Sequence, residues 1–318
     1  MKLISAFFRL VRWPNLVFIA LTQLLFYYCI IIPSLTETYF QQSRPLSPSI
    51  FYMLVTASVL IAAAGYIIND YFDINIDLIN KPSKMVVQKI IKRRWAIFFH
   101  LIITFAGLLL SAYVAFKTSI IIIAGNLVCA LLLWVYSTTF KKKLLSGNII
   151  ISGLTAWTVM VLYFATNNTL TATSALPADV AAGMYRIYKF SALYAGFAFI
   201  ISLIREVVKD IEDREGDARY NCKTMPIVWG VPASKVFVGV WVAVLAGALV
   251  IVQFYVIQIG WWFSALYVMF FVIIPLFWIL KKFYVAQTAK QYHQVSNAIK
   301  LVMLTGICSM IFIKLYTH

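Results

Sequence analysis

At 318 residues, 63% hydrophobic and 12% charged, with a mean hydropathy of +0.88, the chain is too apolar for a soluble globular protein. Its formal net charge of +16 would suit a nucleic-acid binder, but the cations fall between long apolar runs, which is the pattern of membrane topology. The four cysteines and three histidines are scattered without ligand spacing, which argues against zinc or haem.

In chain order, Lys2, Arg9 and Arg12 precede Pro14 and a first apolar run. That run is long enough to span, so no cleavable signal peptide is expected. Runs able to cross about 30 Å of hydrocarbon fall near 14–33, 49–70, 95–113, 118–137, 148–165, 188–206, 235–256, 261–280 and 296–315. The pattern predicts an all-α, polytopic bundle of nine transmembrane helices, with residues 1–318 forming one integral-membrane domain. Pro33, Pro45 and Pro48 punctuate the first connection, and 167–177 reads as a polar loop. With the N-terminus in the cytoplasm, every cation except Arg44, Lys117, Arg186, Lys189 and Lys314 falls inside. The same assignment puts the C-terminus outside.

The acid is distributed differently. Of 11 acidic residues, only Glu37 and Asp179 lie outside two stretches. The first, Asn69–Asp77, follows an uncharged apolar run. On a helix, Asn69, Asp70, Asp73 and Asp77 share one face. Carboxylates so placed repel and need a cation. Oxygen-only donors suit a hard divalent ion, above all Mg²⁺. The second stretch, Arg205–Asp217, puts Glu206, Asp210, Asp213 and Asp217 on one face, with Glu212 and Glu215 beside them. Solvated helix ends would not gather nearly all of a chain's acid into two ordered patterns. In the predicted topology both stretches end their spans on the cytoplasmic side, and ionisable groups at membrane depth are usually functional.

Divalent ions of this kind bridge phosphate oxygens. Lys81 and Lys84 follow the first stretch, Lys141–Lys143 lie in another inside connection, and Arg205 and Lys209 are interleaved with the second. A diphosphate held at the mouth of an apolar bundle implies a lipid-tailed diphosphate. A cation-coupled transporter is the rival class, since buried carboxylates can couple ion flux. The placement of the acids at helix ends, away from mid-membrane, speaks against it.

The pattern Asn-Asp-x-x-Asp-x-x-x-Asp at 69–77, with Asp210–Asp217, resembles the paired signatures of the UbiA superfamily of intramembrane prenyltransferases. Arg12, Asn15, Asn80, Pro82, Tyr136, Lys141, Gly147 and Asn148 extend the resemblance over essentially the whole chain. Tyr136 and Lys141 stand five apart where many members have four, and Lys84 takes the place of an arginine. The resemblance implies a nine-helix bundle around a central cavity. It also implies Mg²⁺ held by Asn69, Asp70, Asp73, Asp77, Asp210, Asp213 and Asp217, with Asp73, Asp213 and Lys209 central to catalysis. Arg12, Asn15, Lys84, Tyr136, Lys141, Arg205 and Lys209 would bind substrate. The implied reaction transfers a prenyl group from a polyprenyl diphosphate through an allylic cation. The text of 205–217, followed by Lys223-Thr224-Met225-Pro226-Ile227, resembles the branch that makes digeranylgeranylglyceryl phosphate, an ether-lipid precursor. That implies a geranylgeranyl donor and a prenylglyceryl phosphate hydroxyl as acceptor. The alternative is an aromatic acceptor in quinone biosynthesis. The expected location is the cell (inner) membrane, with the active site on the cytoplasmic side.

Overall fold

The computed structural model describes residues 2–35, 46–80, 82, 85–171 and 178–316. Among these residues it is all-helical, apart from an isolated bridge between Val87 and Ile91. A short helix α1 (Lys2–Leu10) leads into the span α2 (Trp13–Ser34). Then come α3 (Pro48–Phe72), the short α4 (Ile74–Asn80), α5 (Arg93–Lys117), α6 (Ile120–Thr138), α7 (Ser146–Thr171) and α8 (Ala178–Glu212). Two short helices, α9 (Arg214–Arg219) and α10 (Met225–Val228), precede α11 (Gly230–Gln258), α12 (Trp262–Val285) and α13 (Ala289–Tyr316). Nine of the described helices are long and apolar enough to cross a membrane: α2, α3, α5, α6, α7, α8, α11, α12 and α13. Because hydrocarbon offers no hydrogen-bond partners, an apolar segment of this length satisfies its backbone only as a helix.

The nine expected spans are all present, most of them with longer ends, while those expected from 118 and 261 begin at Ile120 and Trp262. Helix α8 begins at Ala178 and runs to Glu212, well beyond the apolar window 188–206. Hydropathy marks only the part that sits in hydrocarbon, and the helix continues into polar sequence. The expected loop at 167–177 is helical through residue 171, and 172–177 lie outside the described residues. Pro33 does not end the first span from outside; it sits in that span's last turn. A π turn, Tyr27–Ile31, precedes it, and the Ile32 N–H donates to the Tyr27 carbonyl. A proline has no N–H to continue the ladder and its ring crowds the carbonyl one turn back, so the widened turn accommodates it. Helix α12 repeats the device with the π turn Met269–Ile273 ahead of Pro275. Pro48 opens α3, where its missing N–H costs nothing, and the Ser47 side chain accepts from the Ile50 N–H. Pro45 lies outside the described residues.

The chain divides into two compact units, residues 1–140 with 157–193, and residues 141–156 with 194–318. In the first unit, Ala6, Leu10 and Val11 pack with Ala63, Ile67, Ile74 and the 85–96 segment. Gly107 lets α5 approach α3 closely: a Cβ there would lie 3.0 Å from Ile61 Cγ1. A polar relay crosses this unit's interior. Asn126 Nδ2 donates to Ser111 Oγ at 2.8 Å and Trp157 Nε1 donates to Asn126 Oδ1 at 2.9 Å. In the second unit, Val207, Val208 and Ile211 of α8 pack with Val238, Val242, Leu276, Phe283, Val295 and Ile299. The α13 start is fixed by a capping box between Thr288 and Gln291.

Candidate active site

In the first unit, α3 breaks at Asp73, whose backbone lies at φ −86°, ψ 0°. The ladder nevertheless carries through. The Asp73 N–H donates to the Asn69 carbonyl at 3.0 Å, and the Asp73 carbonyl accepts from the Asp77 N–H at 2.8 Å. The helix therefore bends without losing register, so the shared face expected from ideal spacing survives into α4. Asn69 and Asp73 are buried, and Asn69 Nδ2 donates to Asp73 Oδ2 at 2.7 Å. A neutral amide holds this carboxylate in place without cancelling its charge.

Asp70 is treated differently. Arg12 Nη2 donates to Asp70 Oδ1 at 2.6 Å, and the guanidinium lies 5.1 Å from the Tyr66 ring centroid. Arg12 sits at the joint of α1 and α2 in the left-handed region, φ 51°, ψ 53°. That turn aims its side chain back onto α3. Burial alone would lower the Arg12 pKa; Asp70, together with Tyr66 and Asp73, more than reverses this and keeps the guanidinium charged. The Asn15 N–H donates to the Arg12 carbonyl at 2.8 Å, placing Asn15 in the same turn. Tyr136 lies near the end of α6. Lys84 lies outside the described residues.

In the second unit the same bend recurs. Helix α8 breaks at Asp213, φ −89°, ψ 2°, while Asp213 N–H donates to the Lys209 carbonyl and Asp217 N–H to the Asp213 carbonyl. Asn148 at the start of α7 donates from Nδ2 to Asp210 Oδ2 at 2.8 Å. Arg205 and Lys209 both reach Glu206. Lys141 lies in a tight turn, Phe140–Lys142, and the Lys223 N–H donates to the Lys142 carbonyl at 2.8 Å. That bond ties the Lys141 turn to the connection just after the second motif.

The structure also sorts acids that spacing alone had lumped together. Glu206 takes two cations, Glu212 pairs with His293 Nδ1 at 2.9 Å, and Glu215 pairs with Arg219 at 2.9 Å. His293 was not singled out by the sequence, which carries no local signal for a contact across 81 positions. Asn148 was visible only through the resemblance.

Among the described residues, no three His, Cys, Asp or Glu side chains converge closely enough to hold an ion by themselves. The donor set still fits Mg²⁺. That ion is bound through one or two carboxylates, keeps several waters and completes its shell with substrate phosphates. Each bend offers carboxylate oxygens of this kind, with amide partners at Asp73 and Asp210.

Nine apolar helices among the described residues and two aspartate bends define an integral, multi-pass membrane protein with paired acidic sites. The comparisons make it an enzyme of the prenyl-transferring class. Residues 30–304 match the UbiA prenyltransferase family, and the chain belongs to it. It is 26% identical over 263 residues to digeranylgeranylglyceryl phosphate synthase of Methanosphaera stadtmanae, covering 81% of this chain and 86% of that one. With the enzyme of the same description from Haloquadratum walsbyi it is 35% identical over 220 residues, 67% of each chain. Its fold is shared with a solved digeranylgeranylglyceryl phosphate synthase, at TM-score 0.59 and 24% identity over 98% of this chain and 99% of that one. A UbiA homologue from Archaeoglobus fulgidus bound to GPP and Mg²⁺ superposes at TM-score 0.56 and 14% identity, covering 96% and 99%.

Proposed function

We propose that this prenyltransferase moves a geranylgeranyl group from its diphosphate to the hydroxyl of a prenylglyceryl phosphate, forming an ether bond. The observation that carries this reading is its similarity to relatives described as digeranylgeranylglyceryl phosphate synthase, from Methanosphaera stadtmanae to Haloquadratum walsbyi. The paired aspartate bends and their cations support the diphosphate half of it. Residues 1–318 would act as one catalytic domain, since the family match runs through both units.

Asn69, Asp70, Asp73, Asp77, Asp210, Asp213 and Asp217 would hold Mg²⁺, as the Archaeoglobus homologue holds Mg²⁺ with GPP. Bound there, the ion would neutralise the diphosphate so that it can leave. Arg205, Lys209, Lys141 and Lys84 supply positive charge to phosphate oxygens, and the Arg12–Asp70 pair fixes the start of α2 against α3. Asn15 and Tyr136 would contact the substrate. The surrounding apolar helices keep water from the allylic cation until the acceptor hydroxyl oxygen captures it and its proton passes to the departing diphosphate. Asp73, Asp213 and Lys209 are the residues on which rate would depend most. The distribution of cations supports a cytoplasmic N-terminus, with the chemistry at the cytoplasmic face of the cell membrane.

The test is direct. Purified protein given geranylgeranyl diphosphate and geranylgeranylglyceryl phosphate with Mg²⁺ should yield an ether-linked lipid and diphosphate. Prenylation of dihydroxynaphthoate or 4-hydroxybenzoate, with the glyceryl phosphate ignored, would overturn the acceptor and leave the prenyl transfer standing.

A further inference from the structure

We propose that Glu206 is the resident counter-ion of the diphosphate-binding cations, the anion that Arg205 and Lys209 release as diphosphate arrives and retake as it leaves. This rests on the reading of Arg205 and Lys209 as diphosphate ligands. Glu206 is buried on α8, one turn before Asp210. Its Oε1 accepts from Arg205 Nη1 at 3.0 Å and from Lys209 Nζ at 3.4 Å, and its Oε2 accepts from Lys209 Nζ at 3.3 Å. One carboxylate thus serves two cations, and the trio carries a net positive charge.

Two features mark this as an exchangeable arrangement. The lysine contacts are long compared with the roughly 2.7–2.9 Å of strong charge-assisted bonds. Arg205 is engaged only through Nη1, while its Nε is buried and has no hydrogen-bond partner. A buried guanidinium N–H left unsatisfied costs free energy, and a phosphate group presents several oxygens to the guanidinium fork. The Arg205 guanidinium is therefore under-filled by the carboxylate it now holds. The other two glutamates of the stretch have partners elsewhere: Glu212 is engaged by His293 and Glu215 by Arg219.

The functional consequence is release. Cations that bind donor and product diphosphate equally well lower KM without raising kcat, and they slow turnover once product clings. A carboxylate within reach competes with the product for the same cations and speeds its departure. Glu206 is then a positioning residue acting through Arg205 and Lys209.

The experiment measures inorganic pyrophosphate binding at fixed Mg²⁺ by calorimetry in detergent, beside kcat and KM for the prenyl diphosphate. Glu206→Gln should tighten pyrophosphate at least about fivefold, because a like charge a few ångströms away is removed. KM and kcat should both fall. Glu206→Asp, which keeps the charge on a shorter arm, should tighten it less but in the same direction, and serves alone if the glutamine variant does not fold. Unchanged or weaker pyrophosphate binding in the folded variants overturns the proposal. Lys209→Ala separates the two layers. If it weakens pyrophosphate at least about fivefold while Glu206→Gln changes nothing, only the counter-ion role fails. If it leaves binding untouched, the diphosphate reading of these cations fails, and the counter-ion role with it.

Discussion

Asp73→Asn removes one charge and almost nothing else. The side chain is buried at the bend of α3 and accepts a 2.7 Å bond from Asn69 Nδ2. An asparagine there can accept the same bond through its own Oδ1, so the helix bend and the packing of Ile67 and Ile74 should survive. The electrostatic loss is larger. A unit charge pair at about 4 Å is worth about 4 kcal/mol at an effective dielectric of about 20. The amide dipole returns part of that, leaving about 3 kcal/mol. If that loss falls on the transition state, where the leaving diphosphate gains charge, the rate should drop about a hundredfold. The assay is diphosphate release from geranylgeranyl diphosphate at saturating Mg²⁺, with the thermal midpoint measured alongside. A rate within about fivefold of the unaltered protein would refute the reasoning, because the carboxylate would then carry no part of the chemistry. A rate loss matched by a large fall in the midpoint would move the cause from the site to the fold.

Chelation with EDTA should abolish turnover, and added Mg²⁺ should restore it; full activity in EDTA would sink the metal reading of both bends. A double-mutant cycle on Arg12 and Asp70 should give a stability coupling of about 1 kcal/mol, modest because the guanidinium is partly exposed; a coupling near zero would mean the pair does not hold α2 to α3. Asn148→Ala should cost about tenfold in rate by freeing Asp210 from its amide partner, an effect of about 1.4 kcal/mol; an unchanged rate would show that Asp210 needs no positioning. In a background lacking the four native cysteines, a cysteine at 142 should resist an impermeant reagent until the membrane is permeabilised, and one at 179 should react from outside. The reverse pattern would invert the orientation.

The spans were legible because hydrocarbon imposes a single solution on a long apolar run: a helix with all its bonds internal. Their ends were not, since a helix does not stop where hydropathy falls; α8 extends into polar sequence at both ends. The shared face of Asn69, Asp70, Asp73 and Asp77 was legible because a local ladder sets it, and the bend at Asp73 keeps that ladder. Charge partners were not legible. Arg12 lies 58 positions from Asp70, Asn148 lies 62 from Asp210, and His293 lies 81 from Glu212. Such pairs are fixed by how helices pack, and a count of acids along the chain cannot distinguish a carboxylate matched by a cation from one held by an amide.

That distinction separates the two halves of the chemistry. Asn69, Asp70, Asp73 and Asp77 recur at one constant offset as Lys209, Asp210, Asp213 and Asp217, and each set has its helix break at the third position. The neutral amide at position 69 becomes a cation at position 209. In the first motif, therefore, the residue one turn before the bend supports a carboxylate and leaves its charge intact. In the second, the same place carries a charge of the opposite sign, shared with Glu206. A motif of the first kind favours a divalent ion, whereas one of the second kind adds direct attraction for phosphate oxygens. If the division holds, Asn69→Lys should weaken Mg²⁺ dependence and Lys209→Asn should weaken diphosphate binding, each leaving the other affinity within about threefold. Loss of both affinities in either variant would show that the two bends form one indivisible unit.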